Sequence, residues 1–106
     1  MNIIESNNYK KSYTKILKNK VNEIDRLNKI ITLLLEYPTL HDVLITPYKE
    51  IYYIEKKKGN LKEYYTARIN QKIRLIMKPI GDYPYNTMEI TDIEFIDIDN
   101  KHYKEG

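Results

Sequence analysis

At 106 residues the chain is long enough for one domain with a single core and too short for two. It has no cysteine, which excludes disulfide staples and thiolate metal sites and fits a reducing compartment. The net charge of +3 is mild but unevenly spread: residues 80 to 100 hold no Lys or Arg, against Asp82, Glu89, Asp92, Glu94, Asp97 and Asp99.

Taken in order, Asn2–Ile4 reads as a short first strand. Ser6 or Asn7 can cap a helix whose apolar face is Tyr9, Tyr13, Ile16 and Leu17. Asn19-Lys20 breaks the pattern, and Asn22 with Asp25 resembles a fresh capping pair. A second helix carries the stripe Val21, Ile24, Leu27, Ile31, Leu34 and Leu35 and stops near Tyr37, the residue before Pro38. Its apolar core at Leu33–Leu35, extended by Ile30 and Ile31, is far too short to span a bilayer, and Met1–Glu5 lacks the features of a signal peptide. The expectation is a soluble, cytoplasmic protein with no membrane partner.

Between Thr39 and Ile54 the pattern weakens: Leu40, Val43 and Leu44 suit a helical turn, and Ile51–Ile54 could begin an extended segment. Leu61–Ile69 alternates, with Tyr65, Ala67 and Ile69 on one side and Thr66 and Arg68 on the other. Asn70-Gln71 turns the chain into Lys72–Lys78, where Ile73, Leu75 and Met77 oppose Arg74, Ile76 and Lys78, and Pro79 ends the strand. Residues 87 to 98 form a last strand whose phase slips between Ile90 and Ile93, placing a bulge near Thr91-Asp92. The expected fold is one α+β domain over 1–106: two N-terminal helices packed on one face of a small antiparallel β-sheet, in the order (β)ααβββ.

The segment Glu55–Lys78, EKKKGNLKEYYTARINQKIRLIMK, concentrates eight basic residues on a hairpin. Such a surface suits a polyanion, with RNA a leading candidate at this chain size. Arg68 and Arg74, two of only three arginines, fall on the polar face of both strands, as phosphate-binding forks or as solvated partners of the acidic last strand. Lys56–Lys58 reads first as a solvated loop, and as a phosphate contact only through the arginines beside it. His102-Tyr103 reads as a frayed tail, or as a general acid with a stacking ring. Glu55 could be a general base, but it is one carboxylate among fifteen.

The string GNLKEYYTARINQKIRLIM and the order of elements resemble the RelE/ParE superfamily of bacterial type II toxins, most closely its YoeB-like branch of mRNA interferases. The matching residues are Asn60-Leu61, Tyr64-Tyr65, Arg68-Ile69, Arg74-Leu75 and the terminal His102-Tyr103. The connector 39–54 and the loop 81–86 look longer than in compact members. The resemblance implies a metal-free endoribonuclease with no small-molecule cofactor, acting on mRNA on the ribosome and silenced by a cognate antitoxin. It assigns Glu55 as general base, Arg74 as stabiliser of the charged phosphorus, His102 as general acid and Tyr103 as a shaping residue. Lys56, Lys58 and Arg68 then contact phosphate. Two other readings stay open: a ParE-like inhibitor of DNA gyrase without catalysis, and a small RNA-binding module.

Overall fold

The computed structural model describes residues 1–100. Its order is β1 (Asn2–Glu5), α1 (Asn7–Ser12), a π-helical segment (Tyr13–Leu17), α2 (Val21–Glu36), α3 (Leu40–Leu44), α4 (Tyr48–Ile51), β2 (Glu55–Lys56), β3 (Tyr65–Arg68), β4 (Arg74–Pro79) and β5 (Asp92–Asp99). The strands form one sheet in the order β1-β5-β4-β3-β2. Helices cover one face, and no helix among the described residues covers the other. The expected α+β arrangement holds, with one correction: the sheet is mixed, because β1 runs parallel to β5 while every other pair is antiparallel. A parallel pair needs a long crossover. Here the whole chain between the two strands supplies it, so no local pattern in either strand signals the direction.

The core is the contact between the helices and the strand residues facing them. Tyr65, Ala67, Leu75, Met77, Ile93, Phe95 and Ile98 are buried from the sheet side, and Tyr9, Leu17, Leu27, Ile30, Leu33 and Leu34 from the helical side. α2 buries Leu27 and Leu34 of the expected stripe and packs Ile24 and Ile31 against the core, but its two ends differ: Val21 and Leu35 are 68% and 56% exposed, while Ile30 and Leu33 join the buried face. The run Ile30, Ile31, Leu33, Leu34 and Leu35 is apolar almost all round the helix, so its periodicity leaves the buried side undetermined. The expected cap pair Asn22/Asp25 does not form either: Lys20 occupies the N-cap and makes no side-chain cap bond.

Ser6 caps α1, its Oγ accepting from Tyr9 N at 3.0 Å. In the connector, Thr39 and Asp42 form a reciprocal capping box that starts α3. Ile51 ends α4 instead of opening a strand. β3 is shorter than the alternation from Leu61 implied, because Gly59–Leu61 winds into a 3₁₀ turn with Gly59 at φ 64°. The Asn70 side chain closes the β3–β4 turn, its Oδ1 accepting from Lys72 N (2.8 Å) and Ile73 N (2.7 Å).

The bulge sits elsewhere than expected. Register passes from Ile76↔Asp97 to Met77↔Phe95, which leaves Ile96 as the extra residue on β5. The slip at Thr91-Asp92 is simply the start of β5 after the 3₁₀ turn Thr87–Glu89.

Candidate active site on the open face of the sheet

Register fixes which side chains share the open face. Glu55 pairs with Thr66, Arg68 with Arg74, Arg74 with Asp99, and Ile76 with Asp97. Two cross-strand rows result: Arg68–Arg74–Asp99 and, one step along, Glu55–Thr66–Ile76–Asp97. Glu55 and Arg74 lie two strands and two residues apart, about 12 Å between Cα atoms from standard sheet spacings. That is a span that a long arginine and a glutamate can close around one phosphate.

Arg68 opposite Arg74 is a costly choice, since like charges directly facing each other across a strand pair are destabilising. Their surroundings offset it. Asp99, buried at 5% exposure, is the cross-strand neighbour of Arg74 on its other side. The Arg68 guanidinium lies 3.7 Å from the centre of the Tyr53 ring, close enough for a strong cation–π contact. Tyr53 adopts φ 49°, a left-handed conformation unusual for an aromatic residue, and this turn presents its ring to Arg68.

The third arginine locks this end of the sheet. Beyond the short β2, Arg68 N donates to Tyr52 O at 2.8 Å. From α2, Arg26 Nε donates to Arg68 O at 3.1 Å and Nη2 to Ile51 O at 2.7 Å. The Arg26 guanidinium also sits 4.5 Å from the Tyr52 ring, which is stacked on Tyr48. Nothing in the α2 periodicity marks Arg26, because its partners are backbone carbonyls distant in sequence.

The lysine run divides by alternation. Lys57 N donates to Tyr64 O at 3.0 Å, so pairing continues past Lys56 and turns Lys57 to the same side as Glu55. Lys57 is buried at 4% exposure and lines a cleft of about 180 Å³ with Leu61, Tyr64, Thr66, Ile76, Ile96 and Asp97. Lys56 instead lies over the Tyr83 ring, Nζ 6.0 Å from its centre, beside Lys62 at 5.3 Å. Lys58 is exposed at the entry to the 3₁₀ turn. Sequence reasoning singled out Lys56 and Lys58 and passed over Lys57, although counting in twos from Glu55 reaches it. His102 and Tyr103 lie outside the described residues.

The loop after β4 packs on the hairpin: Tyr83 meets Tyr85 edge-on at 5.5 Å, and Tyr85 Oη donates to Glu63 O at 2.8 Å. Burial, then the Glu63 carboxylate, pushes the Tyr85 hydroxyl above the ordinary tyrosine value, and burial followed by Tyr83 does the same to Tyr65.

No protein-family profile matches the sequence, and no functionally curated protein does. Solved structures do match. The chain is similar to the toxin YafQ from E. coli, with a TM-score of 0.65 and 18% identity over 94% of this chain and 92% of YafQ. It is similar to the YoeB/ParE toxin of Agrobacterium tumefaciens, with a TM-score of 0.64 and 17% identity over 97% of this chain and all (100%) of the other. YoeB in the heterotetrameric YoeB–YefM toxin–antitoxin complex of Staphylococcus aureus gives 0.62 and 22% over 97% and 98%. The chain has the RelE-like toxin fold. No helix among the described residues is long and apolar enough to cross a membrane.

Proposed function

We propose that this RelE-like protein is the toxin of a type II toxin–antitoxin pair and acts as a metal-free endoribonuclease on mRNA, probed most naturally on the ribosome. The observation that carries the reading is the direct pairing of Arg68 with Arg74, one step from Glu55 on an open sheet face. Two facing guanidiniums, flanked by Asp99 and the Tyr53 ring, present a doubly cationic fork, and a phosphodiester is an anion with matching geometry.

In this mechanism Glu55 takes the proton from a ribose 2′-OH. The freed oxygen attacks the adjacent phosphorus and forms a 2′,3′-cyclic phosphate as the bond to the 5′-oxygen breaks. Arg74 and Arg68 stabilise the charge that builds on the phosphoryl oxygens, with Lys58 and Lys56 contributing longer-range attraction. His102 returns a proton to the departing 5′-oxygen, and Tyr103 shapes the site. Asp99 is the strand partner of Arg74, so the acidic last strand borders the proposed site. The S. aureus YoeB structure holds YoeB with YefM, which supports a protein antitoxin as the partner of this chain.

The test is induced expression of wild type and Arg74→Ala, with growth and transcript ends followed together. Wild type should arrest growth and generate new ends, and the variant should lose both. Equal arrest by both without new ends would sink the nuclease reading and favour gyrase inhibition, which a supercoiling assay then measures.

A further inference from the structure

The acidic last strand is an odd neighbour for an RNA-cleaving face, and the bulge in β5 sharpens the question. Residues 96 and 97 stand against the single position Ile76, so both side chains turn into the cleft instead of alternating. The bulge therefore delivers an apolar residue and a carboxylate side by side to a recess that Lys57 enters from the opposite strand. Among the described residues, the Asp97 carboxylate makes no hydrogen bond or ion pair.

The recess has the parts of a base pocket. Its volume of about 180 Å³ is below the roughly 300–1,000 Å³ of sites for drug-sized ligands, so it suits one flat ring system rather than a whole nucleotide. Leu61, Ile76 and Ile96 supply apolar walls, and Tyr64 an aromatic one on which a base can stack. The polar groups are a carboxylate that only accepts, an ammonium that only donates and the Thr66 hydroxyl, which does either. Guanine is the base that presents adjacent N–H donors, N1–H and the 2-amino group, together with the acceptors O6 and N7. Uracil offers a single ring N–H. Adenine and cytosine each present one amino group with no neighbouring N–H on the same edge.

We propose that this cleft binds a guanine base of the RNA, the Asp97 carboxylate accepting from N1–H and the 2-amino group and Lys57 donating to O6 or N7. This rests on the ribonuclease reading for the source of the base and extends it to sequence preference. Asp97 sits in the row of Glu55, one step from Arg74, so the recognised base flanks the phosphate held by the arginines. A carboxylate beside an RNA site then has a use: it reads N–H groups, while the buried Lys57 lining the same cleft limits the repulsion felt by the backbone.

The experiment measures binding of the full chain to fluorescein-labelled 2′-O-methyl hexanucleotides, which lack the attacking hydroxyl and stay intact. Hexauridylate is compared with the same strand carrying one guanosine or one inosine, which lacks the 2-amino group. The guanosine strand should bind about tenfold tighter than hexauridylate, in the range of a good bidentate base contact, with inosine in between. Asp97→Asn should abolish the guanosine advantage, with hexauridylate affinity unchanged or raised by the lost negative charge. Equal binding of guanosine and uridine strands, or an advantage that survives in Asp97→Asn, overturns the pocket. Cleavage of unmodified RNA by wild type is scored separately. Cutting without guanine preference removes the pocket and keeps the nuclease, whereas guanine-selective binding without cutting does the reverse.

Discussion

Ser6 Oγ donates to Ile96 O at 2.8 Å. The same oxygen accepts from Tyr9 N, so one hydroxyl caps α1 and satisfies a carbonyl that the β5 bulge takes out of the ladder. Ser12 completes the seam, its Oγ accepting from Ile98 N at 2.9 Å and donating to Tyr9 O at 3.0 Å. The bulge that turns Ile96 and Asp97 onto the open face is thus held from the helical side by two serines. Ser6→Ala removes a cap and leaves a part-buried carbonyl without its donor. The expected loss is about 1–2 kcal/mol, read as a lower urea midpoint at unchanged slope. An unchanged midpoint would mean that the bulge does not depend on this bond.

Tyr9 lies in the core against Phe95, ring centres 5.2 Å apart. Burial first, then Glu5 and Tyr13, pushes its hydroxyl well above the ordinary tyrosine value. Its stability contribution is therefore fully present below about pH 10, where tyrosine ionises in an unfolded chain, and is lost as pH rises further. Tyr9→Phe keeps the ring and removes the titration. Between pH 9.5 and about 11.5 the variant should lose less stability than wild type in urea titrations, with Tyr65 and Tyr85 accounting for the remaining loss. Parallel pH profiles of the two proteins would refute the assignment to Tyr9.

Tyr53 exchanges backbone comfort for a contact. Its left-handed φ costs a non-glycine residue about 1–2 kcal/mol, while an exposed cation–π pair returns about 0.5–1 kcal/mol. Tyr53→Gly should leave the denaturation midpoint unchanged or slightly raised, yet weaken RNA binding several-fold because Arg68 loses its rest. Tyr53→Phe should match wild type in both. If the glycine variant binds RNA as wild type does, the ring does not orient Arg68.

Much of this arrangement could be read from the chain because alternation in strands is strict. Arg68, Arg74 and Ile76 on one side and Ala67, Leu75 and Met77 on the other follow from counting in twos, and the register then pairs the arginines. Ser6 as a cap follows from its position ahead of the first helical turn. What escaped depends on partners remote in sequence. The parallel pairing of β1 and β5 has no local signature, and neither has the carbonyl clamp made by Arg26. The bulge opposite Ile76 is hidden because Phe95-Ile96 and Ile98 are apolar in either register, so hydrophobicity alone fits more than one phase. Lys57 was missed for a different reason: three identical residues in a row invite reading as one charge, although a strand sends the middle one to the other side.

The interior position of β5 has a bearing on how the protein is made. The strand bonds to β1 on one side and β4 on the other, and its pairing of Asn2 with Asp92 spans ninety residues of chain. Closing so distant a contact is slow, and neither β1 nor Arg74 gains its neighbour until β5 has been synthesised. An interrupted translation product ending at Ile80 should accordingly show no cooperative unfolding and no activity. On the proposed nuclease reading the molecule would then be harmless while unfinished, its site assembled in the same event that completes the sheet.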